Sequence, residues 1–234
     1  MRLDRFLAES GFGTRSEVKK LIKNGAVTIN DKTSTKPDIH VDCNSDTVKV
    51  GGETVRYRKF IYLMLNKPAG YVSATWDKKL PTVLDLVPEE YLHFEPFPVG
   101  RLDIDTEGLL VLTNDGDLCH RLLSPKSHVP KTYIAKTDII PSEEDVVTFE
   151  KGIKLEEDFT TMPAKLEIKE NGICNAEVVI MEGKFHQVKR MFEAVGKKVL
   201  YLKRIKMNKL ELDESLDLGE VRELTEAELL LLEK

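Results

Sequence analysis

Apolar positions along this chain change their spacing repeatedly, and each change marks a new element. Leu3, Phe6 and Leu7 recur three and four apart, as do Val18, Leu21 and Ile22. Both sets predict short amphipathic helices within the first 25 residues. Thr14-Arg15-Ser16-Glu17 is a capping box for the second helix, and Asn24-Gly25 supplies its stop. The pattern then shortens to that of strands. A strand is predicted over Ala26 to Asn30, a turn at Asn30-Asp31, and a hairpin from Thr47 to Tyr57 around Gly51-Gly52. Tyr57-Arg58-Lys59-Phe60 reads as a short linker.

Beyond it, Ile61 to Asn66 reads as a strand and Lys67-Pro68-Ala69-Gly70 as a turn. A short helix is predicted around Thr82 to Leu86. Leu109 to Thr113 is an apolar strand closed by Asn114-Asp115-Gly116. Helices follow over Asp117 to Leu123, Ser142 to Lys151 and Phe185 to Val195, the last two stopped by Gly152 and Gly196. Lys131 to Thr137, Met162 to Ile168, Cys174 to Met181 and Lys198 to Met207 read as strands, and Thr225 caps a last short helix. Strands predominate and helices intervene irregularly. The expected class is therefore α+β, a mainly antiparallel mixed sheet flanked by helices, behind a small N-terminal domain. The division is placed at 1–58 and 59–234.

Composition narrows the setting. The chain has 234 residues, 41% of them apolar and 32% charged, as in an ordinary soluble protein. No apolar run approaches the roughly 20 residues of a membrane span, and the N-terminus carries no signal-peptide core. Cys43, Cys119 and Cys174 lie far apart without a CxxC, which argues for a reducing, cytoplasmic setting and against a zinc site. The net charge of −5 is unevenly spread. Residues 1–60 hold 12 Lys/Arg against 8 Asp/Glu, and residues 182–209 hold 9 against 2. The last 25 residues reverse the balance, with 9 acids against 2 bases. Local basic patches, rather than the total, attract a polyanion. One such patch is a helix face carrying Arg15, Lys19, Lys20 and Lys23.

The densest chemistry lies in Gly100-Arg101-Leu102-Asp103-Ile104-Asp105-Thr106-Glu107-Gly108, immediately before the Leu109 strand. By itself an acid beside a strand is most often a turn or capping residue. Three other segments stand with it in order: Asn66-Lys67-Pro68-Ala69-Gly70-Tyr71-Val72-Ser73, then Lys131-Thr132-Tyr133, then Gly183-Lys184-Phe185-His186-Gln187-Val188-Lys189-Arg190-Met191-Phe192. In this order and spacing they resemble the RsuA/RluB/RluE/RluF-type rRNA pseudouridine synthases. Residues 1–58 resemble the S4 RNA-binding module at Arg2-Leu3-Asp4-Arg5-Phe6-Leu7, Gly13-Thr14-Arg15-Ser16 and Gly25-Ala26-Val27-Thr28-Ile29-Asn30. Ser124-Pro125-Lys126 through Tyr133 looks closer to the small-subunit enzymes, the RsuA type.

The resemblance implies isomerisation of uridine to pseudouridine in 16S rRNA, with 23S rRNA as the alternative. Asp103 would be the nucleophile, attacking the sugar or the base, or assisting elimination. A carboxylate in a closed pocket needs a nearby cation to stay charged, and Lys189 matches the basic position, where the family more often has Arg; Arg190 is the fallback. Tyr133 would stack on the extruded base. Arg101 would hold a phosphate or plug the vacated base position, and Leu202 would wall the pocket. The implied RNA ligands are Arg2, Arg5, Arg15, Ser16, Lys19, Lys20, Lys23, Lys184 and Arg190. His186 reads as a structural or hydrogen-bonding residue. The rearrangement is redox-neutral, so neither metal nor organic cofactor is expected. The expected partner is ribosomal RNA or an assembling ribosomal subunit, met by a cytoplasmic monomer away from membranes. Two rivals stay open: a magnesium nuclease using Asp103, Asp105, Glu107 and Asp115, and a non-catalytic S4-type assembly factor.

Overall fold

The computed structural model describes residues 1–169 and 174–233. The final residue of the acidic tail, Lys234, lies outside them. The chain forms two compact units, one of residues 1–61 with 88–95 and one of residues 62–87 with 96–234.

The N-terminal unit begins with α1 (Leu3–Glu9) and α2 (Arg15–Lys23). The Thr14–Glu17 capping box is formed on both sides, which stabilises a short helix by about 1 kcal/mol. Strands β1 (Val27–Ile29), β2 (Lys32–Ser34), β3 (Val48–Val50) and β4 (Glu53–Thr54) make a four-stranded antiparallel sheet in the order β2-β1-β3-β4. Asn30 and Asp31 both take positive φ, as a tight two-residue hairpin turn demands. This turn pairs β1 with β2, a strand absent from the periodicity reading. Leu3, Phe6, Leu7, Val18, Ile22 and Val27 are fully buried here. The short helix α3 (Glu89–Leu92) also belongs to this unit, although its residues interrupt the sequence of the other. Its C-cap His93 lies against Gly11, and Arg58 stands 5.4 Å above the Phe94 ring.

The larger unit is built on one nine-stranded sheet. Its elements are β5 (Tyr62–Lys67), β6 (Phe97–Pro98), β7 (Glu107–Thr113), α4 (Gly116–Leu123), β8 (Lys131–Thr137) and α5 (Glu143–Lys151). A small two-stranded sheet of β9 (Lys154–Glu156) and β10 (Phe159–Thr160) follows. Then come β11 (Lys165–Ile168), β12 (Ala176–Ile180), α6 (Gln187–Ala194), β13 (Val199–Met207), β14 (Leu210–Glu211), β15 (Val221–Glu223) and α7 (Glu226–Glu233). The main order is β11-β12-β8-β13-β7-β5-β15, with β6 on β7 and β14 on β13. Every pairing between these strands is antiparallel except β13 with β7. The expected mixed, mainly antiparallel sheet is thus observed. The parallel seam lies in its middle.

Leu63 to Leu65 and Leu109 to Leu112 are buried on both faces, so β5 and β7 are core strands covered from two sides. The seam also explains Gly108. Its φ is +99°, and a Cβ there would stand 2.2 Å from the Arg204 carbonyl oxygen on β13. No helix among the described residues is long and apolar enough to cross a membrane.

Candidate active site

Residues 101–106 form the loop that enters β7, and three neighbours hold it from below. Ser73 Oγ donates to the Leu102 carbonyl at 2.9 Å and accepts from the Leu102 N–H at 3.0 Å. The Gly70 N–H donates to the Ile104 carbonyl at 2.7 Å. Lys67, at the end of β5, is fully buried. Its Nζ donates to the carbonyls of Pro68 (3.0 Å), Asp103 (3.1 Å), Ile104 (3.3 Å) and Thr106 (2.9 Å). Burial lowers its pKa to about 8 despite the nearby Asp105, Asp103 and Glu107 carboxylates. The sequence reading treated Lys67 as part of a turn; it is an internal tie of the Asp103 loop.

Above the loop lies a cavity of about 110 Å³ whose floor is one face of the sheet. Register explains which side chains meet there. Tyr133 on β8 pairs with Arg204 on β13, and Lys131 pairs with Ile180 on β12. Leu202 precedes Arg204 by two residues and so shares its face. Tyr133 and Leu202, the expected base platform and pocket wall, therefore line the same cavity as Asp103. Arg204 and Lys131 are additions that the sequence reading left out. Arg204 is 2% exposed, and its Nε donates to the Leu109 carbonyl at 2.8 Å. One of its terminal nitrogens and the Thr106 hydroxyl have no hydrogen-bond partner among the described residues. Lys131 donates to the Val129 carbonyl, and burial, with Arg204 nearby, lowers its pKa to about 8.

Asp103 is a quarter exposed at the cavity mouth. Lys189 Nζ on α6 stands 3.4 Å from its carboxylate and 2.5 Å from that of Asp105. Burial pushes the Asp105 pKa up, but the hydrogen bond and charge of Lys189 outweigh it and leave the net below the ordinary value. On the other side, His186 Nε2 lies 3.6 Å from Asp103 Oδ1. His186 takes φ +50° at the N-cap of α6, a left-handed conformation uncommon outside glycine. That kink turns its ring toward the carboxylate, where it stacks on Phe185 with centroids 3.8 Å apart. Gln187 fixes the approach, accepting from the Lys184 N–H and donating to Glu182.

The remaining residues fall into two groups. Arg101 and Lys184 line the cavity, Arg101 from an exposed position. Arg190 points elsewhere: it bonds Glu156 at 2.7 Å and the Leu155 carbonyl, so Lys189 is the cation beside Asp103. On the N-terminal unit, Arg2 holds the buried Asp4 and Arg5 holds Glu9. Lys19 lies 3.9 Å from Asp4. Arg15, Ser16, Lys20 and Lys23 are exposed on α2.

Of the four acids of the metal reading, Asp103 and Asp105 share Lys189 and the other two are engaged elsewhere. Asp115 caps α4 and accepts from Tyr62, Glu107 accepts from Tyr201, and Asp105 pairs with Lys189. Among the described residues no three His, Cys, Asp or Glu gather as a metal site.

Comparison with known proteins shows the family. A family model described as RNA pseudouridylate synthase matches residues 61–194, and an S4 domain model matches residues 1–48. The chain belongs to the RNA pseudouridylate synthase family. It is 54% identical to the Bacillus subtilis protein named Uncharacterized RNA pseudouridine synthase YtzG, over 99% of this chain and 98% of that one. Identity is 41% to the Haemophilus influenzae ribosomal small subunit pseudouridine synthase A, over 98% of both chains. It is 39% to the Bacillus subtilis ribosomal large subunit pseudouridine synthase B, over 96% of this chain and 92% of that one. A solved pseudouridylate synthase crystal structure matches with a TM-score of 0.69 and 39% identity, over 99% of each chain. This pseudouridylate synthase is therefore an isomerase carrying an N-terminal S4 domain.

Proposed function

We propose that this pseudouridylate synthase converts a specific uridine of 16S ribosomal RNA to pseudouridine, with Asp103 as the nucleophile. The observation that carries the reading is the Asp103 carboxylate, ion-paired to Lys189 at the mouth of a cavity that also holds Tyr133 and Leu202. In the reaction the N1–C1′ bond breaks, the uracil turns, and C5 bonds to C1′. The proton on C5 is lost and N1 gains one, so mass is unchanged. Asp103 supplies the electron pair that assists departure of the base. Tyr133 replaces the stacking lost when the base leaves the RNA, and Leu202 closes the pocket beside it. Arg101 and Lys184 sit where a phosphate passes the mouth. No cofactor is required, because nothing is oxidised and no group is transferred away.

The N-terminal domain, residues 1–58, supplies affinity through Arg15, Lys19, Lys20 and Lys23, and residues 59–234 supply chemistry. The enzyme acts as a cytoplasmic monomer on naked rRNA or on an assembling subunit. Support for 16S is the Ser124-to-Tyr133 segment; the 41% and 39% identities to small- and large-subunit relatives differ too little to choose. The test uses both rRNA transcripts with wild-type and D103N protein. Wild type should form pseudouridine in 16S RNA, and D103N should bind equally but form none. Turnover by folded D103N refutes the nucleophile. Turnover confined to 23S RNA moves the target.

A further inference from the structure

A second groove, of about 400 Å³, runs beside the Asp103 cavity. The two share Arg101, Asp103, Lys131 and Lys184, so whatever enters one continues into the other. The outer wall of the groove is apolar and open to solvent. Phe185 is 69% exposed, Leu123 39% and Met181 37%.

The Phe185 ring is not loose. It lies at 17° to the His186 ring, and His186 is held by its left-handed backbone against Asp103. An aromatic face is thus presented to solvent at a set distance from the carboxylate. Two cations line the same groove, Arg101 and Lys184, the latter with its Nζ 5.6 Å above the Phe159 ring. Of the two acids lining the groove, Asp103 faces Lys189, and Glu182 already accepts from Gln187 Nε2 and the Met162 N–H. An exposed ring in a groove lined by cations and continuous with the Asp103 cavity suits the flat face and flanking phosphates of single-stranded RNA.

We propose that this groove is a second base site, holding the base of a nucleotide next to the target uridine, stacked on the Phe185–His186 pair with its phosphate at Lys184 or Arg101. The inference rests on RNA being the substrate. The target base itself belongs over Tyr133 in the neighbouring cavity. The Phe185 stack then clamps the extruded strand in place, so that binding of the neighbour contributes to reaction at the target.

The test uses full-length protein and a short synthetic RNA containing one uridine, together with copies carrying an abasic residue on its 5′ or 3′ side. Dissociation constants are measured for wild type, F185A, F185L and F185Y. Loss of a base–aromatic stack should weaken F185A and F185L about tenfold on the intact RNA, while F185Y stays close to wild type. One abasic RNA should cost wild type about the same factor and cost F185A almost nothing further. Equal binding by F185A and wild type overturns the proposal. So does F185Y as weak as F185A, or losses from F185A and the abasic residue that simply multiply. These readings do not need turnover, so failure of the base site and failure of the proposed function are read from separate measurements.

Discussion

Replacing Lys67 by methionine tests how the Asp103 loop is held. Methionine keeps much of the length and volume but removes the charge and every donor. At neutral pH two effects oppose each other. Lowering the lysine pKa from 10.5 to about 8 means that holding the buried charge costs about 3 kcal/mol. Removing it recovers that cost but strands the carbonyls of Pro68, Asp103, Ile104 and Thr106, at roughly 1–3 kcal/mol for each one left unsatisfied. The stranded carbonyls, at roughly 4–12 kcal/mol together, outweigh the recovered charge cost, and K67M should be less stable by at least about 1 kcal/mol at pH 7. The sign of the pH dependence follows from linkage. The folded pKa lies below the unfolded one, so between about pH 8 and 10.5 the unfolded wild type binds more protons, and the contribution of Lys67 to stability rises with pH. K67M lacks that rise. The gap between the two proteins should therefore widen by about 2.5 kcal/mol from pH 7 to pH 10, while groups common to both cancel. Urea unfolding followed by circular dichroism at pH 7, 8, 9 and 10 measures it. A constant or narrowing gap would show that Lys67 is not a buried charge tied to this loop.

Two further substitutions probe the sheet and the N-terminal domain. G108A should lower stability by roughly 2–4 kcal/mol, because the new methyl group meets the Arg204 carbonyl at 2.2 Å on a positive-φ residue; a melting temperature equal to wild type would refute the close approach. K19Q/K23Q should weaken RNA binding and reduce the slope of log K against log salt by about 1.5, with turnover restored at saturating RNA. Failure of saturating RNA to restore it would place chemistry, not affinity alone, in that domain.

The sequence made the helices legible wherever a cap announced them, as at Thr14–Glu17, Ser142–Asp145 and Thr225–Glu228. Long strands such as Leu109 to Thr113 were equally plain, because an apolar run between turn residues has few other fates. The short strands β2, β6, β9, β10, β14 and β15 were not, since so short a span shows no period, whereas the equally short β1, β3 and β4 were marked by the turn residues Asn30-Asp31 and Gly51-Gly52. Within the candidate site, Asp103, Lys189, Tyr133 and Leu202 were named from motifs, and the fold brings Asp103, Tyr133 and Leu202 to one cavity with Lys189 ion-paired to Asp103. Lys67 was passed over because a lysine before proline looks like a surface turn, and only the carbonyls above it explain its burial. His186 stands beside Asp103 through a left-handed backbone, a property of φ that no side-chain pattern announces. Arg204 required the register of β13 against β8 and β7, which is a long-range fact.

The parallel seam also has a consequence for how the protein is made. It joins Glu107 and Gly108 to Lys203 and Arg204, residues separated by roughly a hundred positions in the chain. Strands β1 to β4 of the N-terminal domain, by contrast, pair with near neighbours in sequence. As the polypeptide leaves the ribosome, those local pairings can form early. The floor beneath Asp103 cannot, because Leu202 and Arg204 arrive almost last. The emerging chain is thus built in the order of its tasks. The RNA-grasping module comes first, and a chain interrupted before β13 carries the aspartate without the chamber that would give it work.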